Sequence, residues 1–185
     1  MALLRSINVG GKNKVKMADL KRTFASIGLI NVQTYIQSGN VIFESNENEE
    51  ALREVIESAL EKNFGITTSA ILRTAGELEQ LMHDLPFSKE EVMEAEMLNS
   101  EGESLYVDLL IQAPAQEKIA HLHTFRSEND KYKIKNRDIY LLLRHSIRNS
   151  KLANSLQKLG IPGTVRNWKT VNKLQILVKA RTDKC

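Results

Sequence analysis

Two short polar stretches of this sequence carry the residue types that hold anions. Asn8, Gly10, Gly11, Lys12 and Lys14 form one, and Gln37, Ser38, Gly39 and Asn40 the other. Glycines let backbone N–H groups come close to an anion, the first helix begins shortly afterwards with its positive dipole end, and Lys12 and Lys14 add charge, which together are the ingredients of a phosphate nest. Gly10-Gly11-Lys12 is neither a Walker A loop nor a dinucleotide fingerprint, because both need other spacings. The competing account is structural: the glycines serve turn geometry, and Gln37 to Asn40 closes a hairpin whose side chains satisfy its own backbone.

A third set lies near the C-terminal end. No Asp or Glu occurs from Ile139 to Thr182, whereas nine Lys or Arg do, among them Arg148, Lys151, Arg166 and Lys169. Asn167 is placed to cap a helix whose positive end Arg166 and Lys169 would flank, and Trp168 either offers a ring face to a base or anchors the helix in the core. If these bases share a face they attract phosphates. The alternative is that they are solvated and balanced in space by an acidic middle segment, where residues 41–103 hold four bases against sixteen acids.

Arg5 lies inside an apolar run and would be costly without a partner. It either crosses to solvent or a ligand, or pairs internally, with Glu44 as one option, and internal pairing is the expectation. Neither a metal nor a cofactor is expected. His83, His121, His123 and His145 lack ligand spacing, and His121 and His123, two apart on a helix, point to different sides. Cys185, the single cysteine, is terminal, so no internal disulfide can form and it is a poor nucleophile.

The elements that must position these residues follow from periodicity. Ala2 to Val9 reads as a strand, and Met17, Leu20, Phe24 and Ile27 recur at helical spacing up to Gly28. Strand-like runs flank the Ser38-Gly39 turn, a helix carries Leu52, Val55, Ile56, Ala59 and Leu60, Thr68 to Arg73 is a fourth strand, and a third helix closes the unit before Pro86. The order βαββαβ is the ferredoxin-like pattern. It sets the first two strands parallel, so the loop after strand one and the turn between strands two and three share one edge of the sheet.

Residues 86–103 are acidic and weakly periodic, and read as a linker, with room for one short helix. The pattern then restarts: a strand at Leu105 to Ile111, a helix to about Phe125, a hairpin through Tyr132 and Ile139, a helix capped by Ser150 and ended by Gly160, a loop or short strand, and a last helix. The expectation is an α+β protein of two ferredoxin-like (βαββαβ-type) units, with antiparallel sheets and helices packed on one face. The first unit spans 1–85, the acidic linker 86–103 and the second unit 104–185. A hydrophobic content of 42% suffices for real cores. With no apolar leader and no membrane-length run, a cytoplasmic protein without membrane contact is expected.

Three stretches resemble the signature blocks of a bacterial family, domain-of-unknown-function family 1697: Leu3 to Val15, Thr34 to Phe43, and Thr164 to Val171. The family pattern usually carries glycine where this chain has Ser6. The resemblance implies the two-part ferredoxin-like fold and no activity.

The leading functional reading is a module that binds a phosphate-bearing or polyanionic ligand, such as nucleic acid, through the two loops, Arg5 and the basic region. RRM-type stacking is disfavoured by an aromatic fraction of 5%. One alternative is an enzyme acting on a small phosphorylated metabolite between the domains. Another is a homo-oligomeric interaction protein whose charge segregation is complementary between subunits.

Overall fold

The computed structural model describes residues 1–182, so Cys185 lies outside the described residues. Two compact units are present. Met1–Leu78, with the helix end from Val178, makes the first, and Glu79–Leu177 makes the second.

In the first unit, β1 (Ala2–Leu4), α1 (Met17–Ser26), β2 (Ile30–Tyr35), β3 (Asn40–Glu44), α2 (Glu49–Phe64) and β4 (Ala70–Leu72) follow in order, before α3 (Ala75–His83). The antiparallel sheet has strand order β2-β3-β1-β4, with Ala2 opposite both Val41 and Leu72. Alternation in a strand sends Ala2, Leu4, Val41, Phe43, Ala70 and Leu72 to one face, where they form a core with Leu20 and Phe24 of α1 and Ile56 and Leu60 of α2. The Phe24 and Phe43 rings meet at 5.7 Å. Helix α1 stops at a Schellman turn: Leu29 N–H donates to Phe24 O, Gly28 N–H donates to Ala25 O, and Gly28 takes the left-handed φ of 87° the motif requires.

The second unit repeats the plan. Its strands β5 (Leu105–Leu110), β6 (Asp130–Lys135), β7 (Asp138–Leu143) and β8 (Gly163–Asn167) pair antiparallel in the order β6-β7-β5-β8. Helices α5 (Gln116–His123) and α6 (Lys151–Ser155) bring Leu122 and Leu152 to Leu110, Ile139, Leu141 and Leu143. Ser150 caps α6, its hydroxyl accepting from Ala153 N–H at 3.0 Å. The last helix, α7 (Trp168–Thr182), opens with Asn167 Oδ1 accepting from Thr170 N–H at 2.8 Å. Each unit is ferredoxin-like in strand order and direction, and the chain is α+β.

The division of the chain differs from the expected one. It falls inside α3, at Leu78/Glu79, and not at residue 85. Residues 86–103 are part of the second unit and contain α4 (Lys89–Leu98), which starts with a complete Ser88/Glu91 capping box. Their acidity is that of a helix ion-paired to its own sheet: Glu91 reaches Lys131 at 3.2 Å and Glu94 reaches Arg144 at 2.6 Å. Among the described residues no helix is long and apolar enough to cross a membrane.

Candidate functional site

The register of β1 brings the two polar loops of the first unit together. Leu3 stands opposite Asn40, and Leu4 N–H donates to Gly39 O at 2.8 Å, so the β2–β3 turn lies against the exit of β1. A Cβ at Gly39 would stand 2.9 Å from Leu4 Cβ and 3.1 Å from Ile7 Cβ, and φ there is 73°, so glycine is needed on both counts.

Asn8 fastens the loops to each other. Its Nδ2 donates to Gln37 O at 2.8 Å and Val15 O at 3.0 Å, and its Oδ1 accepts from Val15 N–H at 2.8 Å. Asn13 Nδ2 donates to Ser6 O at 3.0 Å, closing the loop on itself. Left-handed residues crowd these two segments: Ser6, Asn8, Gly10, Gly11, Asn13, Ile36 and Gly39 all have positive φ. For Ile36, at 48°, the β-branched side chain makes that conformation costly.

A groove of about 620 Å³ opens between the loops, lined by Asn8, Gly11, Lys14, Val15, Lys16, Met17 and Gln37. Lys16 occupies the N-cap of α1 with extended backbone and no side-chain cap. The N–H groups of Met17 and Ala18 have no acceptor within the helix, as geometry requires of a first turn. The groove therefore combines an uncapped helix N-terminus, a glycine and two lysines. Arg5, Lys12, Lys14 and Lys16 are exposed, and no acid precedes Asp19 in the sequence.

The expected residues divide by role. Gly11, Lys14 and Gln37 line the groove with polar or backbone groups, while Gly10 and Lys12 are exposed in the same loop but outside the lining. Asn8 has both amide hydrogens and its oxygen committed. Asn40 is fully buried, its Nδ2 donating to Tyr35 O and Ser38 Oγ, so Ser38 and Asn40 close the hairpin, as the structural account of that turn proposed. The start of α1 stands where the sequence placed it, beside the loop, whereas Lys16 was missed, although the absence of any Ser, Thr, Asp or Asn at the N-cap was there to be read.

Arg5 does not pair with Glu44. It is exposed just beyond the end of β1, and Glu44 Oε1 accepts from Asn31 Nδ2 at 3.0 Å. With Ala2 opposite Val41, Arg5 comes level with position 38, six residues from Glu44 along β3, or about 20 Å at ~3.4 Å per residue.

The expected basic face of the second unit dissolves into separate contacts. Arg166 is buried on β8, where its Nη1 donates to Thr164 Oγ1 at 2.6 Å and Val165 O at 2.9 Å. Burial pushes its guanidinium down to about 10, with the Asp108 carboxylate pulling the other way, so it stays charged at neutral pH and is held by its own unit. Asn167 is occupied as the cap of α7. The Trp168 ring lies 6.3 Å from that of Tyr140, whose hydroxyl donates to Leu81 O. Lys169 reaches Glu103 at 2.9 Å, and this bond holds its ammonium pKa above the ordinary value. Lys158 stands over the Phe125 ring at 4.9 Å. Arg148 and Lys151 are exposed at the start of α6.

One further cluster had no sequence signal, since its members are far apart in the chain. Asp130 is buried, accepts from the Ser150 hydroxyl at 2.9 Å, and has its other oxygen 3.4 Å from His145 Nε2. The Ser150 hydroxyl is thus spent on Asp130 while its oxygen caps α6. Among the described residues no group of three or more His, Cys, Asp or Glu could hold a metal ion.

The profile of a family described as "Protein of unknown function (DUF1697)" matches residues 1–140. The chain belongs to this family. The matched range of this DUF1697 member contains both loops of the groove and stops before the block at Thr164 to Val171. Among solved structures it is similar to that of the conserved bacterial protein SP0830 from Streptococcus pneumoniae, with 25% identity, a TM-score of 0.73 and 96% of each chain covered. No curated protein matches the DUF1697 chain.

Proposed function

We propose that the first unit is a binding module for a phosphate-bearing or polyanionic ligand, held in the groove between the loop after β1 and the β2–β3 turn. The observation that carries this reading is the meeting of the uncapped α1 N-terminus with Gly11, Lys14 and Lys16 in one groove of about 620 Å³. Two sources of positive potential, a helix end and fixed lysines, act on the same volume. Asn8 and Gly39 are the groups that keep the groove in shape, and the left-handed backbone around them is the kind of strain that a fold retains where geometry matters. Arg5 and Lys12 widen the positive field for a ligand longer than one phosphate.

The test is titration of inorganic phosphate, pyrophosphate and short labelled RNA and DNA into the whole chain at several salt concentrations. A Lys14→Ala, Lys16→Ala double variant should weaken binding by about tenfold and flatten its salt dependence, because fewer counterions are released. An Arg148→Ala, Lys151→Ala variant, altered in the second unit, should bind as the wild type does. No saturable binding of any of these anions at low salt, or binding unaffected by the first variant, would discard the groove as the site.

A further inference from the structure

Among the described residues, half of the exposed large apolar side chains stand on two helices of the second unit. Met93, Met97 and Leu98 of α4 are 56%, 80% and 57% exposed, and Ile176 of α7 is 59% exposed. Single exposed apolar residues need no explanation, but three on one ten-residue helix do. Their ring of charge is not random. On α4, Met93 and Met97 are one turn apart, and the exposed Glu90, Glu94 and Glu96 surround them. On α7, Lys169, Lys173 and Ile176 follow at helical spacing on one exposed face, in a stretch with no acid.

Both helices stand on the same face of the second sheet. Residues opposite or two apart in the ladder share a face, which puts Lys131, Tyr140 and Leu142 on the side away from Leu141 and Leu143, and Arg144 follows in the same phase. Glu91 and Glu94 of α4 reach Lys131 and Arg144 there, and Trp168 of α7 meets Tyr140. The acidic and basic patches are also neighbours, since Lys169 bonds Glu103 and feels the charge of Glu96.

We propose that α4 and α7 of the second unit form one self-complementary surface through which two copies of the chain associate, α4 of each copy lying on α7 of the other. A two-fold axis exchanges the patches, so each acidic apolar helix meets a basic apolar one twice, as an isologous interface requires. Methionine suits such a contact because its flexible thioether fills irregular gaps. Pairing through the edge strand β6 is a poorer route, because Lys131, Lys133 and Lys135 alternate along it and blunt that edge. The charge segregation of the sequence thereby gains a second use beside the ion pairs within the unit.

Sedimentation equilibrium of the full chain, from about 1 to about 500 μM at roughly 50 and 500 mM salt, tests this, since salt screens exposed charge pairs. A reversible monomer–dimer equilibrium is expected, weaker at high salt. Glu96→Lys and Lys173→Glu, each at an exposed position, should separately weaken association by about tenfold or more, through like charges brought together. Met97→Ser should weaken it with charge unchanged. The two charge variants mixed in equal amounts should associate again, because both contacts of the mixed pair then carry opposite charges. Thermal melts of each variant show whether it is folded. A chain that stays monomeric at the highest concentration and low salt overturns the proposal. So does a dimer indifferent to these substitutions, or a mixture that fails to recover.

Discussion

Ser6 sits at φ 54°, a conformation that costs an L-residue about 1 kcal/mol and glycine nothing, so the family's usual glycine is explained by the backbone and its absence here by tolerated strain. Ser6→Gly should raise stability by about 0.5 kcal/mol in urea unfolding, the relief being partly offset by a freer unfolded chain. At Gly39 the sign reverses. Gly39→Ala adds both left-handed strain and a Cβ within 2.9 Å of Leu4, and should cost about 2–4 kcal/mol by the same measurement. Arg166→Ala should likewise destabilise by about 3 kcal/mol, as expected when a buried, hydrogen-bonded charge is removed beside a carboxylate, and leave anion binding unchanged. Loss of binding in a variant whose stability is unaltered would return Arg166 to the ligand.

At the scale of elements, α4 shows why an acidic stretch is not a linker. Hydrogen bonds from the Ser88 backbone, then from Lys131, hold the Glu91 carboxyl below the ordinary carboxylate range. A carboxyl whose folded pKa is depressed contributes stability that is present above its unfolded value, ~4.3 for a free glutamate, and is lost as pH falls through the folded value. Glu91→Gln keeps the capping geometry without the titrating charge. The variant should therefore melt below the wild type at pH 7 and close on it as pH falls below 4. Melting points that differ by the same amount at both pH values would show that Glu91 acts through shape alone. Helix α1 presents the opposite case, because no side chain caps its first turn, where Lys16 stands at the N-cap.

For the whole molecule, the two units share a plan and differ in how they use charge. The first keeps its basic loops clear of acids, whereas the second spends Arg144, Lys131 and Lys169 on carboxylates from residues 91–103. Polyanion affinity should accordingly follow substitutions at Lys14 and Lys16 and not those at Arg148 and Lys151, read as the slope of affinity against salt. Equal sensitivity to both pairs would mean that charge alone, without a built groove, attracts the ligand.

The strand and helix order, the Gly28, Ser150, Asn167 and Gly160 signals and the convergence of the two loops were legible in the sequence, because each rests on local periodicity, local capping chemistry or the fixed connectivity of a βαββαβ unit. The role of each charged residue was not. Arg5 and Glu44 were separated by a register that hydrogen bonding between distant strands sets. Arg166 was buried beside Asp108, and Lys169 and Arg144 were paired with Glu103 and Glu94, residues 50 to 66 positions away in the chain. Local sequence determines which elements form and where they end. Which charges remain free to meet a partner depends on long-range packing, since a charge's cost and value are set by whatever the folded chain places within a few ångströms of it.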